Sequence, residues 1–228
     1  MSSISVVRVG EDKSRDDKDR VSQPARKNLR EGHYCNGRLK RAFDLIGVVI
    51  LMPILAPLMV IIALIIKIDS PGPIFFRQVR QGRGLNSFRV WKFRTMVHDE
   101  QPFAQAVERD ERVTRAGRFL RRSSLDELPQ VFNVIVGEMS LVGPRPHPLE
   151  LDAQYSSKLH RINRRYESRP GITGLAQISG HRGPTPTVKA MSKRLSRDLA
   201  YVRHASLLLE FRILAITLRE IVWSRNAF

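Results

Sequence analysis

A single cysteine, Cys35, stands in 228 residues. No intramolecular disulfide can form and no Cys-based zinc site can assemble, which fits a surface facing a reducing cytoplasm. Acidic residues are few beside basic ones, 22 against 39, so the formal net charge is +17 and the partner must be acidic: nucleic acid, anionic lipid or phosphorylated substrate. His147, His181 and His204 show no metal-like spacing and no nucleophile partner, and they receive no role. No internal repeat is present, which excludes solenoids and propellers. Nor does the chain open like a secretory signal peptide, because about forty mostly polar residues precede the first long apolar run. The length suits one sizeable domain with at most an appended segment, since single cores hold roughly 100–200 residues.

What is present divides into three parts. Residues 1–39, rich in Asp, Lys, Arg and Ser, cannot bury a core and read as a disordered charged tail. Residues 40–67 contain an uncharged apolar run from Leu45 to Ile66, flanked by Lys40 and Arg41 before and Lys67 after, and long enough to be a membrane segment. Pro53 and Pro57 interrupt it, each removing a backbone donor and crowding the carbonyl four residues earlier. A break at Ala56-Pro57 leaves two halves that each span roughly 15–18 Å, well short of a ~30 Å hydrocarbon core. A helix that dips in and returns would keep both basic flanks in the cytoplasm; a proline-kinked transmembrane helix is the other reading, and the residues alone leave both open.

Residues 68–228 form the third part. Ile74–Val79 and Ser87–Met96, rich in β-branched and aromatic residues, flank Gly82 and Gly84 and predict a β-hairpin. The remainder is mainly helical, with loops at Gly143–Pro148 and Arg169–Gly174. The expected class is therefore α+β: a mainly helical domain with one hairpin, behind a Pro-broken, re-entrant membrane helix. Near the end, Leu207, Phe211, Leu214, Leu218, Ile221 and Val222 lie mainly along one helical face, which suits a core face or a membrane surface with Trp223 at headgroup depth.

Asp126-Glu127 is the chemical centre of the sequence. Ser124-Leu-Asp-Glu127 matches a capping box, a purely structural role, but Pro129 fits poorly at the fifth position of a helix capped by Ser124. A helix beginning at Asp126 puts Pro129 in its tolerant first turn and the Asp126 carboxylate at the positive end. Neighbouring residues project about 100° apart, so the two carboxylates can divide the work: one attacks phosphorus, the other holds a divalent ion such as Mg2+. Arg121 and Arg122 are candidate phosphate contacts, as is Arg145, whose backbone is fixed between two prolines. Lys92, Arg94 and Arg169 extend the basic set.

With Lys40-Arg-Ala-Phe-Asp44 ahead of the broken apolar helix, Trp91–Met96, Ser124–Gln130, Met139–Pro146 and Arg169–Gln177, the chain resembles the bacterial sugar transferases, or monotopic phosphoglycosyl transferases, from about Lys40 to about Trp223. The resemblance implies that Asp126 attacks the sugar-bearing phosphate of a UDP-sugar and releases UMP. The phosphosugar, galactose or glucose by the Gly180–Pro184 stretch, would then pass to undecaprenyl phosphate and start an exopolysaccharide repeat unit. It also implies Glu127 as the Mg2+ ligand, Arg121 and Arg145 as phosphate contacts, a re-entrant helix broken at Ala56-Pro57, and a seat on the cytoplasmic face of the bacterial inner membrane. Anionic membrane lipid is an expected partner and nucleic acid is not; self-association stays open. The rivals are a basic nucleic-acid-binding protein, which leaves residues 45–66 unexplained, and a catalytically silent membrane scaffold.

Overall fold

A computed structural model describes residues 34–97 and 110–223, with the side chains of 221–223 outside it. The proposed tail lies outside the described residues up to position 33, but its end belongs to the body: Tyr34–Asn36 forms a 3-10 turn and Cys35 is buried. Helix α1 then runs from Arg38 to Asp69.

Helix α1 passes through Pro53 and Pro57 without losing its helical assignment, so the break expected at Ala56-Pro57 is not marked by any interruption of the helix. Its covered side carries Asp44, Val48, Met59, Ile62 and Ile66, with Met52 and Leu55 partly buried between them, at spacings of three or four residues. The other side exposes Ile46, Val49, Ile50, Ile54, Ile61, Leu64 and Ile68, each more than half accessible. Among the described residues this is the one helix long and apolar enough to cross a membrane, and just 17% of its most apolar stretch is buried.

Both ends of α1 are tied to the same body. At the start, Lys40 Nζ lies 2.9 Å from Asp44 Oδ1 and 2.6 Å from Glu210 Oε2, all three side chains fully buried. Asp44 Oδ1 also accepts from Ser140 Oγ at 2.9 Å and from the Leu141 amide at 3.1 Å. At the far end, Asp69 Oδ2 accepts from the Ala116 amide at 3.1 Å.

The expected hairpin forms. Strand β1 (Phe75–Gln81) pairs antiparallel with β2 (Ser87–Phe93), Phe75 opposite Phe93 and Gln81 opposite Ser87. Gly84 reverses the chain between them at φ 67°, where a side chain would be strained. A second sheet had no counterpart in the sequence reading: β3 (Ser140–Val142), just before one expected loop, runs parallel to β4 (Gly171–Thr173), inside the other. The approach is so close that a Cβ on Gly171 would lie 2.0 Å from the Gly143 amide nitrogen. Glycine is therefore a packing requirement here.

Helices α2 (Arg115–Ser123), α3 (Gln130–Val136), α4 (Leu149–Ser156), α5 (Leu175–Ile178), α6 (Val188–His204) and α7 (Leu207–Trp223) complete the mixed helix-and-strand body. Thr114 and Thr187 cap α2 and α6, each accepting the amide three residues on. On α7 the apolar stripe is divided differently from the expectation. Glu210 and Ile213 are wholly buried, whereas Leu208, Phe211 and Leu218 are exposed on an adjoining face; Ile221, Val222 and Trp223 fall outside the described side chains. Phe211 meets Phe43 of α1 edge-on, with ring centroids 5.1 Å apart.

Candidate active site

Between α2 and α3 the chain makes one tight passage. Ser124 ends α2 in the left-handed region, φ 58° and ψ 17°, a conformation that costs a non-glycine residue on the order of 1 kcal/mol or more. The turn Leu125–Glu127 follows in 3-10 form, and α3 starts only at Gln130 with Pro129 as its N-cap. The capping box that Pro129 disfavours does not form, and the expected helix start at Asp126 is corrected. Ser124 makes no capping bond, because its left-handed backbone starts a 3-10 turn instead of a helix; its Oγ accepts from Arg182. Asp126 lies in that turn, ahead of α3, so a helix end does not supply the positive potential around it.

Side chains supply it. Glu127 is buried and gripped from two sides: Arg145 donates from Nη1 to Oε2 at 2.8 Å and from Nη2 to Oε1 at 2.5 Å, and Lys92 Nζ donates to Oε1 at 2.7 Å. Burial alone would raise the Glu127 pKa, but the Arg145 guanidinium and the Lys92 ammonium outweigh it and hold the carboxyl well below the usual range. Glu127 is thus a fixed anion. The same pairing raises Arg145 above its ordinary value.

Asp126 is in the opposite condition. It is half-buried and its carboxylate has no hydrogen bond among the described residues. Loss of water raises its pKa; Lys92 opposes that, Glu127 adds to it, and Arg145 and Arg121 oppose it again. A carboxylate poorly satisfied by its surroundings, with cations within electrostatic reach, is a better base and a better nucleophile than a solvated one.

Arg121 faces this site with its Nε donating to Thr95 Oγ1 at 2.9 Å, which leaves its terminal nitrogens for a ligand. Arg80 adjoins Arg145; burial and that neighbour push it down to about 10, still protonated at neutral pH. Arg145 itself is positioned from behind. Its carbonyl accepts from Arg165 Nη2 at 2.6 Å, and Arg165 lies 2.8 Å from Asp198 of α6 with both side chains buried. Next to it His147 Nδ1 meets Asp152 Oδ1 at 2.9 Å, and Tyr166 donates to the same carboxylate.

Not every basic residue in the expected set reaches the pair. Arg94 is buried and clamps the end of α1, donating to the Ser70 and Pro71 carbonyls at 2.7 and 2.5 Å; just past the end of β2, it turns away from the face that carries Lys92. Arg169 donates to the Gly137 carbonyl at 2.9 Å, beyond the opposite end of α3. Arg122 is exposed on α2 with no bond into the site. The residues that the sequence reading missed, Thr95, Arg80, Arg165 and Asp198, act through contacts distant in sequence, for which a single sequence carries no signal.

The residues present suit a divalent ion in part. Adjacent carboxylates at positions 126 and 127 offer oxygen ligands of the kind Mg2+ takes one or two at a time, with phosphate oxygens and water completing the shell. No cluster of three or more His, Cys, Asp or Glu suited to a metal occurs among the described residues, so the protein alone would not enclose one.

Comparison with known proteins identifies the family. Residues 35–224 match the bacterial sugar transferase family. The chain is 47% identical over 208 residues to a UDP-glucose:undecaprenyl-phosphate glucose-1-phosphate transferase of Xanthomonas campestris pv. campestris, covering 88% of this chain and 43% of that protein. A protein of the same description from Caulobacter vibrioides is 45% identical over 191 residues, 83% of this chain and 72% of the relative. An exopolysaccharide production protein of Rhizobium leguminosarum bv. phaseoli is 43% identical over 182 residues, 77% and 91% respectively. The chain therefore spans under half of the Xanthomonas relative and most of the other two. On the family match and these identities, the chain belongs to the bacterial sugar transferases.

Proposed function

We propose that the chain transfers a hexose-1-phosphate from a UDP-sugar to undecaprenyl phosphate through a covalent aspartyl-phosphosugar, with UMP as the first product. The observation that carries this is the division between two adjacent carboxylates: Glu127 locked by Arg145 and Lys92, Asp126 unbonded and made more basic by burial. In the first step an Asp126 oxygen bonds to the sugar-bearing phosphorus and the bond from that phosphorus to the bridging oxygen breaks, so the electron pair leaves with UMP. In the second, a phosphate oxygen of undecaprenyl phosphate attacks the same phosphorus and frees the Asp126 carboxylate. Lys92, Arg145 and Arg121 hold phosphate oxygens and neutralise charge as it builds.

Mg2+ would be held by Glu127 together with diphosphate oxygens, and when bound it would stabilise the departing phosphate. Glucose is the favoured sugar, after the Xanthomonas and Caulobacter relatives, with galactose the alternative from the Gly180–Pro184 stretch. A relative at 40% identity from Aeromonas hydrophila is named for N-acetylgalactosamine, so the panel tested must include it.

The enzyme sits on the cytoplasmic face of the inner membrane. Helix α1 enters the bilayer and returns, bending near Ala56-Pro57. Support comes from its exposed apolar side, from its two missing amide donors, and from the attachment of both its ends to one body. A helix of 32 residues would otherwise extend roughly 48 Å, against a hydrocarbon core of ~30 Å.

The test is UMP release from full-length protein in membranes or mild detergent with Mg2+, undecaprenyl phosphate and a panel of UDP-sugars. One donor should be active, and acid-quenched protein should carry the phosphosugar on Asp126. No UMP from any donor, or a label on another residue, rejects the reading.

A further inference from the structure

A groove of about 360 Å3 opens between α5, α6 and α7. Leu175 and Ile178 of α5 form one wall, Leu209 and Ile216 of α7 the other, and Arg197 of α6 and Arg212 of α7 supply its two cations. Its volume lies within the range of ligand pockets, roughly 300–1,000 Å3. Both arginines are exposed, and neither has an ion-pair partner among the described residues.

The groove lies beside the membrane-facing side of the molecule. Phe211 on α7 packs against Phe43, two residues before the apolar run of α1 begins, and Glu210 is paired with Lys40. Leu208, Phe211 and Leu218 form the exposed apolar face of α7, while Leu209, Arg212 and Ile216 stand on its flank. An occupant of this groove therefore meets the bilayer surface along one edge.

Chemistry narrows the occupant. A nucleotide would satisfy the arginines but leave the leucine and isoleucine walls wet; an apolar molecule would dry the walls and leave two cations unused. An amphiphile with a phosphate head answers both. None of Asp126, Glu127, Lys92, Arg121 or Arg145 lines the groove, which argues against the lipid that takes part in the reaction.

We propose that this groove is a binding site for an anionic phospholipid of the surrounding bilayer, its phosphate between Arg197 and Arg212 and the top of one acyl chain against Ile178, Leu209 and Ile216. The site rests on the proposed entry of α1 into the bilayer and does not depend on the chemistry at Asp126. Two basic residues at an anionic lipid contribute roughly fivefold in affinity each, hence roughly 25-fold together.

The test is native mass spectrometry of the full chain in mild detergent, titrated with phosphatidylglycerol, with phosphatidylcholine of matched chains, and with undecaprenyl phosphate. The unmodified protein should retain one phosphatidylglycerol in preference to phosphatidylcholine. The double variant Arg197→Gln/Arg212→Gln should lose that preference, with affinity down roughly 25-fold. Ile216→Trp, which fills the groove and keeps both charges, should lose the bound lipid as well. UMP release in phospholipid-free detergent with undecaprenyl phosphate added should stay within about twofold in each variant, which shows that the fold and the catalytic site are intact. If the double variant fails to fold, Ile216→Trp decides alone. Equal retention of the two phospholipids, retention unaffected by the variants, or a groove that prefers undecaprenyl phosphate overturns the proposal.

Discussion

Arg145→Lys separates orientation from charge at the proposed catalytic pair. The native side chain makes two parallel charge-assisted bonds to Glu127, at 2.8 and 2.5 Å, and lysine can replace the charge but not the fork. Each such bond contributes about 1.5–3 kcal/mol when well buried. The Arg145 side chain is 26% exposed, and Lys92 still holds Glu127, so solvent and the remaining cation reduce the loss to about 1–2 kcal/mol. For a chain of this size that lowers the melting temperature by about 2–8 °C. Activity should suffer far more, because a carboxylate or phosphate displaced by about 1 Å loses on the order of a hundredfold in rate. The assay is initial UMP release alongside thermal unfolding of the same preparation. Arg94→Lys is the control: it should lower stability by a similar amount and leave kcat within about threefold, because the guanidinium of Arg94 bonds Ser70 and Pro71 among the described residues, away from Glu127. If Arg145→Lys keeps kcat within twofold while its melting temperature falls, the fork is structural and the proposed role of Arg145 is wrong.

Asp126→Asn should abolish turnover by at least about a thousandfold without lowering the melting temperature. The raised pKa means that the fold disfavours the ionised form, so neutralising Asp126 should leave stability equal or higher at neutral pH, and a marked drop would show that Asp126 is a structural anion. The kcat/KM profile should fall on the acid side with an apparent pKa above the ordinary aspartate value, and Glu127→Gln, which removes a neighbouring anion, should move that limb to lower pH in whatever activity remains. Asp198→Asn leaves Arg165 buried without its partner, at a cost of about 3–5 kcal/mol or roughly 6–20 °C, read by thermal unfolding; an unchanged melting temperature would remove this pair from the support of Arg145. His147 is pushed down to about 3 by burial and by Arg165, so the unfolded chain binds its proton first as pH falls from about 6.5. Stability should decline across that window, and less steeply in His147→Gln, as pH-dependent denaturant titrations would record.

Local features of this site were readable where the chain states them locally. The hairpin follows from β-branched and aromatic residues on both sides of Gly82 and Gly84, whereas the helix expected to start at Asp126 is a 3-10 turn. Arg145 between two prolines pointed to a fixed cation, and it grips Glu127. The rest depends on pairings that no short window contains. Strands β3 and β4 are three residues each and meet across an intervening helix and turn. Arg94 and Arg169 look like Arg145 as residue types; which carbonyl or carboxylate lies in reach is decided by the packing of α1 and α3. Pro53 and Pro57 argued for an interruption, yet the helix runs unbroken from Arg38 to Asp69.

Asp44 joins the foot of α1 to β3, and Arg145 stands three residues past the end of that strand. On the proposed reading of α1, the bonds at Asp44 and the proline-fixed segment 143–148 set the height of the carboxylates at positions 126 and 127 above the bilayer. A thinner or thicker leaflet, by changing how deep the helix rides, would then raise or lower that turn relative to the lipid phosphates.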